Sequence, residues 1–392
     1  MIDDISFGPQ PTLDISVFEQ VIDHGPIEDR LALARQLCAL VNDAEAPAAD
    51  RNAVMPALMR LACDRDLGVR EVLHGDLAET AGLSADLVFA MVADDEDLAV
   101  KFTEKNPSFT CNNQCAILSV GDPLRCAAIA RREDVSAAAV RKILNDGLDT
   151  AVIALLNNKA VRLGAGYCRK IYNRFHDQPK VCTALMDAPY LPAEIALVHN
   201  QRKADELRRS ARLQGWVADF RSDDYISDNE ENTALRILAD VPAEKMKEIV
   251  ALMSARNMLT TSLLLRAGVN GHLPFLEWAL AYLGNVSMRR VRMATAHSSE
   301  RVAQALLRRA GIPEDTHPLF LAICMVSSAT GAAGKKADQD AFGRALVEVT
   351  MTRLAAIDVD ERQRVIQILS QFAQGRTRTL VNRLNDGYAR VA

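Results

Sequence analysis

Four segments of this chain open on aspartate and carry a similar short apolar pattern: Asp66-Leu-Gly-Val-Arg, Asp97-Leu-Ala-Val-Lys, Asp122-Pro-Leu-Arg-Cys and Asp149-Thr-Ala-Val-Ile, spaced 31, 25 and 27 residues apart. A repeat of this length is one supersecondary unit that cannot bury its apolar face alone, so neighbouring copies must stack. Nine positions after each aspartate stand Gly75, Asn106, Arg131 and Asn158. The reading is that each aspartate caps a helix start and that Gly or Asn takes the left-handed turn ending it, with Arg131 breaking the pattern. A second helix is expected near Ser84, Thr110 and Ser136, whose hydroxyls suit N-caps; Gly164 stands in the fourth copy.

Apolar residues recur at helical spacing in lengths of two or three turns: Leu33, Leu37, Cys38 and Val41; Val54, Met55, Leu58 and Leu61; Leu87, Val88, Met91 and Val92. Helices that short are marginal in isolation and gain their stability from packing. Aromatic residues are only 5% of the chain against 49% hydrophobic, a balance that favours packed helices over sheets. The fold class expected is all-α.

The pattern Asp-x-x-Val-x-x-x-x-x-Asn, most intact in Asp97 to Asn106 and Asp149 to Asn158, resembles the short helical units of HEAT-like and leucine-rich-repeat-variant solenoids. The chain as a whole resembles an alphaproteobacterial family of HEAT-like proteins carrying a domain of unknown function. The repeat resemblance spans roughly residues 27 to 200 and implies a helical-repeat solenoid in the first half. It supplies no catalytic residues.

The domain reading has an N-terminal extension over 1–26, the repeat array over 27–218, an acidic linker or loop over 219–232 (DFRSDDYISDNEEN) and a second all-α domain over 233–392. In that last part Met246, Ile249, Val250 and Met253, then Leu276, Ala279, Leu280 and Leu283, form longer stripes. Residues 327–340 (SSATGAAGKKADQD) read as a loop.

Charge is divided unevenly. Residues 1–100 hold 20 Asp and Glu against 6 Lys and Arg, a formal −14, and the remainder holds 31 against 40, a formal +9. The opening MIDDISFGPQ has neither the basic nor the apolar region of a signal peptide. The uncharged stretch Leu319 to Gly334 is too short and too rich in small polar residues to span a bilayer. Eight scattered cysteines suit a reducing compartment, so a cytoplasmic location without a membrane partner is expected.

Catalytic signatures do not assemble. Cys111 and Cys115 share a helix face and Cys126 follows, yet a closed zinc site wants a fourth ligand and a second Cys or His pair, so all three are read as buried core thiols. The seven histidines form no H-E-x-x-H array. Gly164-Ala-Gly166 lacks the third glycine of a dinucleotide turn, and Gly331-Ala-Ala-Gly334-Lys335 has two residues between its glycines where a phosphate loop needs four. No cofactor, no metal and no enzyme activity are expected.

Two basic groups remain. Arg202, Lys203, Arg208, Arg209 and Arg212 crowd one helix; Arg289, Arg290, Arg292, Arg301, Arg308 and Arg309 occupy a second region. They are the candidate binding surface, set against the alternative of a solvated face with interspersed acids such as Asp205 and Glu206. The run Asp94-Asp-Glu-Asp97 is read as an inter-repeat turn. The function expected is a non-enzymatic scaffold whose curved helical surface binds a protein partner; nucleic-acid binding through a basic concave face is the alternative.

Overall fold

In the computed structural model, which describes residues 15–213, 220–296, 300–330, 336–354 and 359–372, every regular element is helical. The chain divides into two compact units, Met1–Leu191 and Pro192–Ala392.

The first unit contains α1 (Ile15–His24), α2 (Ile27–Asn42), α3 (Ala48–Ala53), α4 (Met55–Ala62), α5 (Leu67–Asp76), α6 (Ala85–Val92), α7 (Glu96–Lys105), α8 (Cys111–Val120), α9 (Pro123–Arg131), α10 (Ala137–Asp146), α11 (Asp149–Asn157), α12 (Ala165–Phe175) and α13 (Pro179–Met186). Helix α5 packs on α2 and α7, α7 on α9, α9 on α11 and α11 on α13, while α8 packs on α10 and α10 on α12. Leu58, Leu61, Leu73, Leu87 and Met91 are fully buried between them. Each such side chain contributes roughly 1.5 to 3 kcal/mol by leaving water. Of the segment expected as an extension, residues 1–14 lie outside the described residues; the rest includes α1, which packs on α2 and α4 and sends Phe18 into the core.

The second helix of each copy starts as its sequence suggests: Ser84, Thr110 and Ser136 accept from the backbone N–H of Leu87, Asn113 and Ala139, and Gly164 opens α12 without a side-chain cap. The aspartates divide. Asp66 and Asp122 are N-caps, accepting from Gly68 N and Arg125 N, a contact worth about 1 kcal/mol. Asp97 lies one residue inside α7, whose cap position is Asp95, and Asp149 is the first residue of α11 behind Leu148. Both face the positive end of the helix dipole instead of closing it.

The expected left-handed stops are not where the repeat puts them. Gly75 sits inside α5, and the left-handed residue of that loop is Gly82, at φ +77°. Asn106 and Asn158 have negative φ, in extended backbone. Their side chains do the work instead. Asn106 Nδ2 donates to the carbonyls of Leu77 (2.7 Å) and Thr80 (3.0 Å), and Asn158 Nδ2 to those of Ala130 (2.9 Å) and Arg132 (2.7 Å). Between them Arg132, not Arg131, takes the same place, donating to Thr103 O (2.5 Å) and Asn106 O (2.7 Å). A helix leaves its last carbonyls without partners. Along the row α5, α7, α9 and α11, the residue just past one helix therefore donates to carbonyls at or just beyond the end of the row's preceding helix. Arg131 instead makes an exposed ion pair with Glu104.

The acidic run also has a structural reason. The Asp94 carboxylate is buried between Arg70 (2.8 Å) and His74 Nε2 (2.9 Å), and its backbone carbonyl accepts from Arg125. Burial pushes the His74 imidazole below its usual value near 6.5, so the neutral ring donates Nε2–H to the Asp94 carboxylate. A histidine with a lowered folded-state pKa stabilises fully above its unfolded pKa. That contribution is lost as pH falls through 6.5, because the unfolded chain then takes up a proton that the folded chain refuses. Urea midpoints measured between pH 7.5 and 5.5 will therefore fall more steeply for the wild type than for His74→Gln; equal slopes would contradict this.

The second unit comprises α14 (Ala193–Leu213), α15 (Phe220–Ala239), α16 (Ala243–Ala255), α17 (Thr261–Val269), α18 (Leu273–Leu283), α19 (Met288–Ala296), α20 (Glu300–Arg309), α21 (His317–Thr330), α22 (Lys336–Leu354) and α23 (Val359–Phe372). Helix α17, buried at every residue from Leu263 to Val269, packs on α18, α21 and α23. Two sequence expectations change. Residues 220–232 of the acidic linker are the first part of helix α15. The expected loop at 327–340 is largely helical: α21 continues to Thr330 and α22 starts at Lys336, with 331–335 outside the described residues. The phosphate-loop comparison at Gly331 to Lys335 falls on that gap.

Candidate functional site

The basic residues of α14 are mostly matched by acids. Arg202 and Lys203 both reach Glu206, at 3.1 and 2.8 Å, each within one turn of the helix. Arg208 lies between Asp205 (2.9 Å) and Glu230 of α15 (2.6 Å). Arg209 donates weakly to the Asp205 carbonyl (3.4 Å), and Arg212 is 3.9 Å from Asp223. Four cations thus share the carboxylates of Asp205, Glu206, Asp223 and Glu230, and only Arg209 has a backbone carbonyl in place of an acid, which leaves little positive field for a ligand.

These acids also account for α15. Read along the chain, DFRSDDYISDNEEN has few apolar anchors; in three dimensions its carboxylates answer arginines from α14 and α17. Arg266, with a side chain only 3% exposed, donates to Asp228, to Glu231 (3.2 Å) and to the Asn232 side chain (3.0 Å), and its guanidinium stands 5.1 Å from the Phe372 ring centre. Glu231 accepts further bonds from Thr260 (2.7 Å) and Ser262 (2.6 Å). No periodicity marks Arg266 as special; its only signal is a charge inside the apolar run of α17.

Beside this network, α14, α15 and the end of α16 enclose a cavity of about 280 Å³. Its lining includes Asp205, Arg208 and Glu230 together with Met253, Met258 and Leu263. Burial, aided by the charges of Asp205 and Glu231, pushes the Glu230 carboxyl above its usual range even though Arg208 holds it. The charged groups here are engaged with each other, an arrangement that fastens α14 to α15.

The second basic group differs. Arg292 pairs with the half-buried Glu277 (3.1 Å), Arg308 makes an exposed pair with Glu314 (2.8 Å), and Arg309 donates to the Gly284 carbonyl (2.6 Å). Arg289, Arg290 and Arg301 are exposed and carry no ion pair among the described residues. The neighbouring helices α19, α20 and α21 also expose Met293 (60%), Val302 (48%) and Met325 (48%). Unengaged positive charge and accessible apolar side chains thus occur on the same three-helix group.

Among the cysteines, Cys126 is buried as expected, but Cys111 is exposed and Cys115 half-exposed. Among the described residues no group of three or more His, Cys, Asp and Glu is placed to hold a metal ion, and no helix is long and apolar enough to cross a membrane.

A family model described as an uncharacterised protein conserved in bacteria (DUF2336) matches residues 115–383. The chain belongs to this family. The DUF2336 match begins inside α8, so it takes in the later helices of the first unit together with α14 to α23. No curated protein and no solved structure matches the chain.

Proposed function

We propose that this DUF2336 protein is a non-enzymatic scaffold of the cytoplasm, built on HEAT-like helical repeats, that binds a protein partner through α19, α20 and α21. The observation that carries this reading is the contrast between the two basic groups. The cations of α14 are mostly matched by neighbouring carboxylates, whereas Arg289, Arg290 and Arg301 are unpaired among the described residues and occur with exposed Met293, Val302 and Met325. Protein interfaces are enriched in Arg and Met, with apolar anchors inside a polar rim. The complementary partner is an acidic segment with apolar residues at intervals. In the first unit, the successive packing of α5, α7, α9, α11 and α13 supports the repeat reading, each helix a wall for the next.

The test compares capture from the source cytosol by the wild type and by Arg289→Glu/Met293→Asp. A specific partner will be retained by the wild type and weakened at least tenfold in the variant, equivalent to about 1.4 kcal/mol. Retention that is equal for both proteins, or absent for both, rejects the reading. Nucleic-acid binding is the competing outcome. It would appear as a mobility shift at low salt that is lost steeply as salt rises and that depends on Arg289 and Arg290.

A further inference from the structure

Cys111 is the first residue of α8 and Cys115 lies one turn further on, both accessible, while Asn113, Gln114 and Ile117 carry the buried face of the helix. Residues i and i+4 of an α-helix have Cα atoms roughly 6 Å apart, inside the span of about 4.4 to 6.8 Å that a disulfide bridges. Their Cβ atoms start roughly 5 to 6 Å apart against about 3.8 Å in a disulfide, so closure requires the first turn to tighten. The first residue of a helix has no intrahelical N–H bond to break, and Cys111 holds that place. The rest of the turn is anchored: Gln114 donates to the Asp134 carbonyl (3.4 Å) and accepts from Ser136 N (2.8 Å).

We propose that Cys111 and Cys115 are a reversible modification site that closes to an intrahelical disulfide by exchange with a low-molecular-weight disulfide. Cys111, the more exposed, gives up its proton to solvent and its thiolate attacks one sulfur of the small disulfide, expelling one small thiolate and leaving a mixed disulfide. Cys115 then loses its proton and attacks the Cys111 sulfur, expelling the second small thiolate. Two protein thiols are oxidised, one small disulfide is reduced to two small thiols, and the two released protons balance the two thiolates. Burial and the neighbouring Cys111 sulfur push the Cys115 thiol above its usual range, so it is the weaker first attacker and acts second, on a sulfur one helical turn away. A bridge that strains its helix turn and lies at the surface is readily reduced again, as labile disulfides are.

Oxidised glutathione is the probe. The full chain is treated natively over a range of reduced-to-oxidised ratios, alkylated, digested with trypsin and read by mass. The peptide Asn106–Arg125 contains both cysteines and no other. It is expected to lose both alkylation marks together and become two hydrogens lighter, and to recover both on return to reduced glutathione. Cys63, also exposed, has no thiol four residues away and will stop at the mixed glutathione adduct. Cys115→Ser will accumulate that adduct on Cys111 at least tenfold above the wild type. A wild-type peptide that retains a single glutathione adduct, or whose two cysteines remain alkylatable at every ratio, overturns the proposal. The readout is independent of partner binding.

Discussion

Arg266→Met will lower the unfolding free energy of the second unit by about 3 kcal/mol, within the range of about 3 to 5 kcal/mol for removing one partner of a buried ion pair. The side chain is almost wholly enclosed and ties α17 to Asp228, Glu231 and Asn232 of α15. Methionine fills much of the space but leaves Glu231, 12% exposed, without its cation. Asp228 is 43% exposed and regains water, which places the loss at the lower end of the range. Arg266→Lys will not restore stability, because a single ammonium cannot serve three acceptors spread around a planar guanidinium. Adding Glu231→Gln to Arg266→Met will recover part of the loss, since the stranded charge is its main source. Urea unfolding of the variants checks all three outcomes, and a loss below about 1 kcal/mol for Arg266→Met would show that the network is incidental.

Asn106→Ala will cost the first unit about 3 kcal/mol. Asn106 is fully buried, and its removal strands the Ser108 N–H and takes one donor each from the Leu77 and Thr80 carbonyls, which keep only Thr80 N and Ser108 Oγ; a stranded buried group costs roughly 1 to 3 kcal/mol and each lost hydrogen bond roughly 0.5 to 1.5 kcal/mol, partly offset by relaxation. Arg132→Ala will be comparably damaging, since Arg132 serves two carbonyls from a side chain 2% exposed and stacks 4.6 Å from the Phe109 ring centre. Its neighbour supplies the control. Arg131 makes only an exposed ion pair with Glu104, so Arg131→Ala will cost less than about 1 kcal/mol. The sequence repeat singles out Arg131 and passes over Arg132, so the pair separates spacing from contact.

Helical periodicity, hydroxyl caps and the return of the aspartate-headed helices were legible because each depends on residues within one or two turns of each other. Ser84, Thr110 and Ser136 cap as read, for the backbone N–H donors they accept from lie three residues away. The roles of Asn106 and Asn158 were not legible, although their positions were. Asparagine suits a left-handed turn, but the carbonyls that claim these side chains lie 26 to 29 residues back along the chain. The helix at 220–239 was hidden for the same reason. Its acids look like a solvated loop until Arg208 and Arg266, 22 and 35 residues from Glu230 and Glu231, are brought beside them. The candidate surface was named as a list of arginines; which are engaged and which are free depends on carboxylates the list does not contain. Cys111 and Cys115 were placed on one helix face, but which way that face points is decided by Asn113, Gln114 and Ile117 taking the core.

The claim underlying this account is that α5, α7 and α9 are each completed by the next helix of that row, α7, α9 and α11, through a side chain reaching back to carbonyls at or just beyond its end. Native-state hydrogen exchange of Asn106→Ala, resolved by peptide, tests it most directly. Faster exchange in α5, which contributes no mutated residue, as well as in α7 is the predicted result. Faster exchange confined to the few residues around position 106, with α5 as protected as in the wild type, would contradict it.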